Sequence, residues 1–381
     1  MGERFNAATV LEPNVIEVRE YSKPELASQD WLLKVKMVGI CGTDHHMISS
    51  RKPFPWEETI YPFIPGHEFV GEIDEIGLDF SGVDAQGLPL KKGDYVTARP
   101  VGKDSVPCGK CYYCMNGMPV FCPARVPIKH PMLLRGFQRA YAEYRYMHSS
   151  ETVYKLPENM PSEVAMLTEP LAVAIHAFER ASDTGSSWLF RGMGPGKTVV
   201  IQGSGPIGIL LTVMAKILGA WKIIVVGAPD NRLALCREFG ADETISIERL
   251  STPEERIKTV KELTSYKAGA DVVIEAAGVP NAFVEALEMV RSRGTIVEVG
   301  HFTDRGTAPI NPFQFCAKAI NIFGVWGGGP GGFLWAKRIL ERNWQTIPFQ
   351  RIVTHKFPLA KVKEALKISK KLESMKTVLM P

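Results

Sequence analysis

Long hydrophobic runs are missing from this chain. None approaches the roughly eighteen apolar residues that a membrane span requires, and Met1 to Asn6 contains no apolar stretch of the kind that opens a secretory signal. Charge of one sign is also missing. The 45 basic residues face 41 acidic ones for a net charge of +4, with no block of like charges and no stripe of bases interleaved with aromatics. That balance argues against a nucleic-acid partner and leaves a mixed, solvated surface. Cysteine is scarce, odd in number and clustered: seven in all, four of them between 108 and 122. A secreted disulfide scaffold is therefore excluded, and a reducing, cytoplasmic setting is expected. At 381 residues the chain is too long for one compact domain and predicts two or three.

What is present is a set of local clusters. Gly39 to His46 places a thiol (Cys41), a hydroxyl (Thr43), a carboxylate (Asp44) and two imidazoles (His45, His46) within six residues after an apolar run. A thiolate at Cys41 is a soft zinc ligand, Thr43 can hydrogen-bond whatever sits on the metal, and His46 can carry a proton outward. Alone, such a stretch equally describes a packed thiol beside surface histidines. His67 and Glu68, after Pro65-Gly66, are the next candidate ligands. The segments 31–38 and 69–76 read as short antiparallel strands of a barrel-like or sandwich domain.

The Cys-x2-Cys-x2-Cys-x7-Cys run of Cys108, Cys111, Cys114 and Cys122 is the sharpest local signal. Four thiolates without histidine form a closed tetrahedral zinc site. An iron–sulfur cluster is the rival, but the bacterial ferredoxin run spaces its last two cysteines by three residues rather than seven. Cys236 and Cys316 read as packing residues. Residues 162–181 read as one helix with Glu169 in its middle, before Pro170. An acid between Leu167 and Leu171 is either exposed or bound to something positive. His176 reads as a core or interface residue.

After a linker at 183–187 the pattern changes. A buried strand at 197–202 runs into Gly203-Ser-Gly205-Pro206-Ile207-Gly208 and an apolar helix from Ile209 to Leu218. Between a strand and a helix, these glycines permit a tight turn and let a pyrophosphate reach the helix N-terminus. Strands at 222–226, 244–247, 271–275 and 295–299 then alternate with helices at 231–239, 253–266 and 281–291, which predicts a doubly wound parallel sheet. The second strand should end in an acid for the adenosine ribose; Gly227 stands there and Asp230 follows. Glycine leaves room for a 2′-phosphate, yet the nearest base is Arg232, inside the next helix. The reading leans to NAD, with NADP open.

Taken together, Gly-x-Cys-Gly-Thr-Asp-x-His at 39–46, Gly66-His67-Glu68, the four-cysteine lobe, Glu169-Pro170 and Gly203 to Gly208 resemble the zinc-containing medium-chain dehydrogenases over nearly the whole chain. The resemblance implies an α/β plus β architecture: a GroES-like catalytic domain at 1–181, a Rossmann domain at 182–318, and a return to the catalytic domain at 319–381. It implies a catalytic zinc on Cys41, His67 and Glu169 and a structural zinc on the four cysteines. Thr43 and His46 would form a proton relay, and Glu68 would be a nearby acid able to exchange onto the metal. Gly203, Gly205, Pro206, Ile207, Gly208, Gly227, Asp230, Arg232, Val299 and Gly300 would meet the cofactor, with His301 and Phe302 beside the nicotinamide. Many alcohol dehydrogenases have a third cysteine where Glu169 stands; polyol dehydrogenases resemble this chain there, which implies a polyol or secondary alcohol as substrate. The family resemblance also implies a homodimer or homotetramer. A bulkier alicyclic or thioester-linked alcohol is the alternative, since Phe54, Trp56 and Tyr61 could shape an apolar pocket. A non-catalytic zinc- and nucleotide-binding relative is the second alternative, although it has no reason to keep the catalytic set together.

Overall fold

The computed structural model describes residues 3–49, 61–99, 105–127, 139–183, 192–329 and 331–381. Phe54, Trp56, most of the 183–187 linker and Trp188 lie outside these. The chain divides into two units, residues 1–169 with 333–381, and residues 170–332.

The first unit is built on a seven-stranded sheet. Its central strand, Trp31–Gly39, lies antiparallel to Glu68–Ile76 on one side, and Lys376–Met380 joins it on the other. Apolar side chains from these strands and from the hairpin Arg4–Glu12 and Val15–Ser22 close over one core, whose largest buried members include Phe5, Trp31, Phe69, Tyr141 and Tyr146. Alternation of apolar and polar residues along half-buried strands is what allows this packing. The last strand, Lys376–Met380, pairs in parallel with Val353–Pro358 and brings the chain's end into the sheet beside Val38 and Gly39.

The second unit is a six-stranded, all-parallel sheet in the order Glu243–Ser246, Lys222–Gly227, Thr198–Gln202, Ala270–Glu275, Val290–Glu298, Asn321–Gly324. Numbered along the chain this is 3-2-1-4-5-6, the order of a dinucleotide-binding sheet. Its first strand is buried throughout and reads TVVIQ, as a strand covered on both faces must. The sixth strand was not foreseen. It pairs with Val290–Glu298 through Thr295 and Asn321, so the second unit runs to Gly332 rather than ending at 318.

The expected helix at 162–181 is two helices, Ser162–Ala165 and Thr168–Ser182. The Thr168 hydroxyl donates to Ala165 O (2.7 Å) at the break. Pro170 thereby falls in a first turn, where its missing N–H costs nothing. Glu169 consequently stands at a helix start rather than in mid-helix, and the division between units falls next to it rather than at 181. Cys236 is buried as expected, whereas Cys316 is exposed, on the outer side of the short surface helix Phe313–Lys318. No helix of the described residues is long and apolar enough to cross a membrane.

The glycine turn has steric reasons that can be named. Gly203 adopts φ +115°, and a Cβ on Gly208 would lie 2.0 Å from Gly203 O, so the helix Pro206–Ile217 can approach the strand only without a side chain there. Gly208→Ala should therefore lower the unfolding free energy by about 1–3 kcal/mol through overpacking. Urea denaturation of the variant against wild type measures this, and an unchanged midpoint would refute it.

Candidate active site and metal centres

The segment from Cys41 is shaped by Asp44. Cys41 is the N-cap of helix Gly42–Ile48, in extended conformation, and Asp44 at the third helical position accepts the Cys41 N–H through Oδ2 (2.9 Å). The same oxygen accepts the Tyr141 hydroxyl (3.0 Å). The other, Oδ1, accepts Gly66 N–H (3.3 Å) and faces His67 Nδ1 at 3.4 Å. Asp44 has no exposed surface. Burial alone would raise its pKa, but His67 and the donors from Cys41 and Tyr141 hold it down at about 2. His67 is raised well above its ordinary value, since Asp44 outweighs the burial that opposes it. A carboxylate on one imidazole nitrogen orients the ring and leaves the other nitrogen for a metal.

Donor atoms of Cys41, His67 and Glu68 lie within 4.8 Å of one another. Sequence reasoning placed Glu169 in this trio, and the structure places Glu68 there. Glu68 opens strand Glu68–Ile76 directly after His67 and so follows the imidazole into the core, while Glu169 enters from a helix start. Glu169 nevertheless responds to the same ions: burial pushes its carboxyl up to about 7, with His67 acting against the rise and Glu68 adding to it. Glu68 is neutralised by a buried ion pair with Lys376, which comes from the last strand. Burial opposes the charge on Lys376, but Glu68, Cys41 and Glu169 raise its pKa.

Thr43 Oγ1 lies 3.6 Å from Cys41 Sγ. His46 is half-buried three residues on, and so on the same face of the helix. His45 points elsewhere, pairing through Nε2 with Ser369 Oγ (2.8 Å), and burial lowers it to about 4. His176 binds Gly327 O through Nδ1 (2.8 Å), a structural role as expected. Asp44, Tyr141 and Lys376 were missed by the sequence reading. Only Asp44 had a local signal, an acid three positions after a helix N-cap.

In the second lobe the sulfurs of Cys108, Cys111, Cys114 and Cys122 all lie within 4.8 Å, and Cys111 Sγ stands 3.7 Å from Cys122 Sγ. Thiolates at about 2.3 Å from one zinc in a tetrahedron stand about 3.8 Å apart, so this cage fits a single zinc. Backbone N–H groups of Lys110 and Cys111 pull Cys108 down to about 6, while desolvation and the neighbouring Cys111 push Cys114 up to about 12.

In the parallel sheet, space is open above Gly205, the N-cap of Pro206–Ile217, as a pyrophosphate on a helix N-terminus needs. Pro206 and Ile207 form the first turn of this helix, and Gly208 serves packing. Gly227 leaves no void: a Cβ there would lie 2.6 Å from Ser204 Oγ, which donates to Ala228 O. Asp230 pairs with Arg249, a base the sequence reading overlooked, and Arg232 is half-buried. Val299 and Gly300 both donate backbone N–H groups to Glu275 O. Phe302 stacks on Trp326 with ring centroids 4.3 Å apart.

Residues 27–158 match the model of the alcohol dehydrogenase GroES-like domain, and residues 206–341 that of the zinc-binding dehydrogenases. The chain is 30% identical over its full length to an erythritol/L-threitol dehydrogenase of Mycolicibacterium smegmatis, covering 98% of that protein. The chain belongs to the zinc-dependent medium-chain dehydrogenase family. It is also similar to a 5-exo-hydroxycamphor dehydrogenase of Pseudomonas putida, at 29% identity over 96% of this chain and 95% of that one. The crystal structure of an alcohol dehydrogenase from Thermotoga maritima superimposes with a TM-score of 0.86 at 28% identity, covering all of both chains. As a member of this dehydrogenase family the protein is an oxidoreductase that moves hydride between an alcohol and a nicotinamide cofactor. The expected pairing of a GroES-like domain with a Rossmann sheet holds.

Because Asp44 ties Cys41, Gly66, His67 and Tyr141 together, Asp44→Ala should cost about 3–5 kcal/mol of stability, the range for removing one partner of a buried charge pair. It should also reduce the zinc that co-purifies. Chemical denaturation and metal analysis test both; a stability loss below about 1 kcal/mol with full zinc would contradict this role.

Proposed function

We propose that the protein is an NAD-dependent dehydrogenase of a polyol or other secondary alcohol, with one catalytic and one structural zinc per chain. The observation that carries the substrate class is Glu169, a carboxyl raised by burial and acted on by the charge of His67, standing where a third thiolate would make the site softer. A carboxylate can yield to water or to a second hydroxyl of a chelating diol. The erythritol/L-threitol dehydrogenase among the relatives supports the polyol reading, and the hydroxycamphor dehydrogenase keeps an alicyclic alcohol as the second reading. Seven free cysteines suit the cytoplasm. Exposed Ile322 on the edge strand Asn321–Gly324 and exposed Phe313 nearby in sequence support a homodimer or homotetramer.

Cys41, His67 and Glu169 would hold the catalytic metal, with Glu68 kept as a neighbouring acid by Lys376, and the four cysteines would hold the structural one. Bound zinc supplies Lewis acidity toward the substrate oxygen, and bound NAD supplies the hydride acceptor. Thr43 Oγ1 receives the alcohol proton and releases its own toward His46, which passes it outward. Asp44 fixes the imidazole of His67, and the open surface above Gly205 receives the pyrophosphate.

NAD is favoured because Arg249 is already paired with the carboxylate of Asp230 and Arg232 is half-buried in the following helix. kcat/KM should be higher with NAD than with NADP for the best substrate. Asp230→Asn, which releases Arg249, should shift the ratio toward NADP by on the order of tenfold, about 1.4 kcal/mol. A wild type that prefers NADP defeats the reading.

Metal analysis should return two zincs per chain. Glu169→Gln should weaken retention of the catalytic zinc and lower turnover on polyols far more than it lowers the Tm, with the four-cysteine zinc still bound. A variant with both zincs and full activity would remove Glu169 from the site, and the polyol argument with it.

A further inference from the structure

Three metal-competent side chains of the nucleotide-binding unit take no part in the proposed zinc chemistry. Glu275 and Glu298 end adjacent parallel strands, in register with one another, and His301 follows on the turn after the second. Glu275 is fully buried, and its Oε1 accepts the N–H groups of Ala277 and Gly278, each at 2.8 Å. Glu298 uses Oε1 for His301 N–H (3.1 Å) and for the imidazole Nδ1 (2.9 Å). Each carboxylate is thereby held by one oxygen. The other, Oε2 in both, is buried without a hydrogen bond among the described residues. Glu275 Oε2 lies 3.6 Å from His301 Nδ1, in a space that only a glycine at 300 leaves open, since a Cβ there would come within 2.3 Å of it.

We propose that Glu275, Glu298 and His301 form a divalent-cation site of two carboxylates and one imidazole, distinct from both zinc centres. Donor atoms of all three residues lie within 4.8 Å of one another. Oxygen and nitrogen ligands about 2.1 Å from one metal stand about 3.0–3.4 Å apart, and the 3.6 Å between Glu275 Oε2 and His301 Nδ1 is close to that spacing. Backbone donors on the remaining oxygens are the outer shell that orients ligands before the metal arrives. Without a cation the pocket resists a second negative charge: burial and the adjoining Glu298 push Glu275 up to about 8. A mixed carboxylate–imidazole set without thiolate suits Mn²⁺ or Zn²⁺ rather than a soft metal, and Ca²⁺ would want more oxygens.

The test uses the full-length protein with its zinc in place, titrated with Mn²⁺ while free Mn²⁺ is followed by electron paramagnetic resonance. One Mn²⁺ should bind per wild-type chain without loss of zinc. Glu298→Gln and His301→Ala should each weaken that binding at least tenfold and leave the zinc content unchanged. Glu298→Gln preserves shape and decides the matter if His301→Ala does not fold. No Mn²⁺ uptake by the wild type, or equal uptake by Glu298→Gln, would overturn the proposal.

Discussion

Four groups from three stretches of chain converge on the carboxylate of Asp44: the Cys41 and Gly66 amides, the His67 imidazole and the Tyr141 hydroxyl. A buried anion is tolerable only when it is fully paired. The requirement works in both directions. It fixes the helix that carries Cys41, Thr43 and His46, and it fixes the turn that carries His67. Two metal-competent side chains separated in sequence thus have one common support. That support lies inside the core formed by Trp31, Phe69 and Tyr141, so the ligand geometry inherits the rigidity of the sheet.

A second constraint is the charge balance of the same region. Asp44, Cys41, Glu68 and Glu169 bring four potential negative charges, and His67 with Lys376 brings two potential positive ones, all in or near the core. Lys376 arrives on the strand Lys376–Met380, which pairs with Val38 and Gly39 immediately before Cys41. The return of the chain's end to the first unit therefore has an electrostatic consequence: it delivers the counter-ion of Glu68.

How legible the site was depended on how local its chemistry is. The four cysteines lie within fifteen residues, and the glycine turn lies between its own strand and helix, so spacing alone carried both. The doubly wound parallel sheet followed from strict alternation of strands and helices, while its strand order is a matter of three-dimensional packing. Lys376 could not be found that way, because nothing near it in sequence marks it as a partner of Glu68. Glu169 was assigned to mid-helix because apolar periodicity runs through 162–181, and periodicity does not register a helix restarting at Thr168. In the sequence, Gly227 reads as room for a phosphate; the Ser204 side chain that fills that room depends on how two turns pack, which one-dimensional spacing does not hold. The sixth strand was missed because NIFG is too short to show a period.

The two acids near Cys41 differ in what their movement would cost. Glu68 could approach a metal only by leaving Lys376, and a buried ammonium deprived of its partner carries a penalty of about 3–5 kcal/mol. Glu169 has no ion pair or side-chain hydrogen bond among the described residues, and its carboxyl, pushed up to about 7, changes charge readily. Geometry alone therefore favours Glu68 as the nearer donor, and energetics favours Glu169 as the one free to exchange. A ligand that can leave is the one a second substrate hydroxyl can replace. Under the proposed function, Lys376, by holding Glu68 in place, would leave Glu169 as the carboxylate able to give way to a substrate hydroxyl.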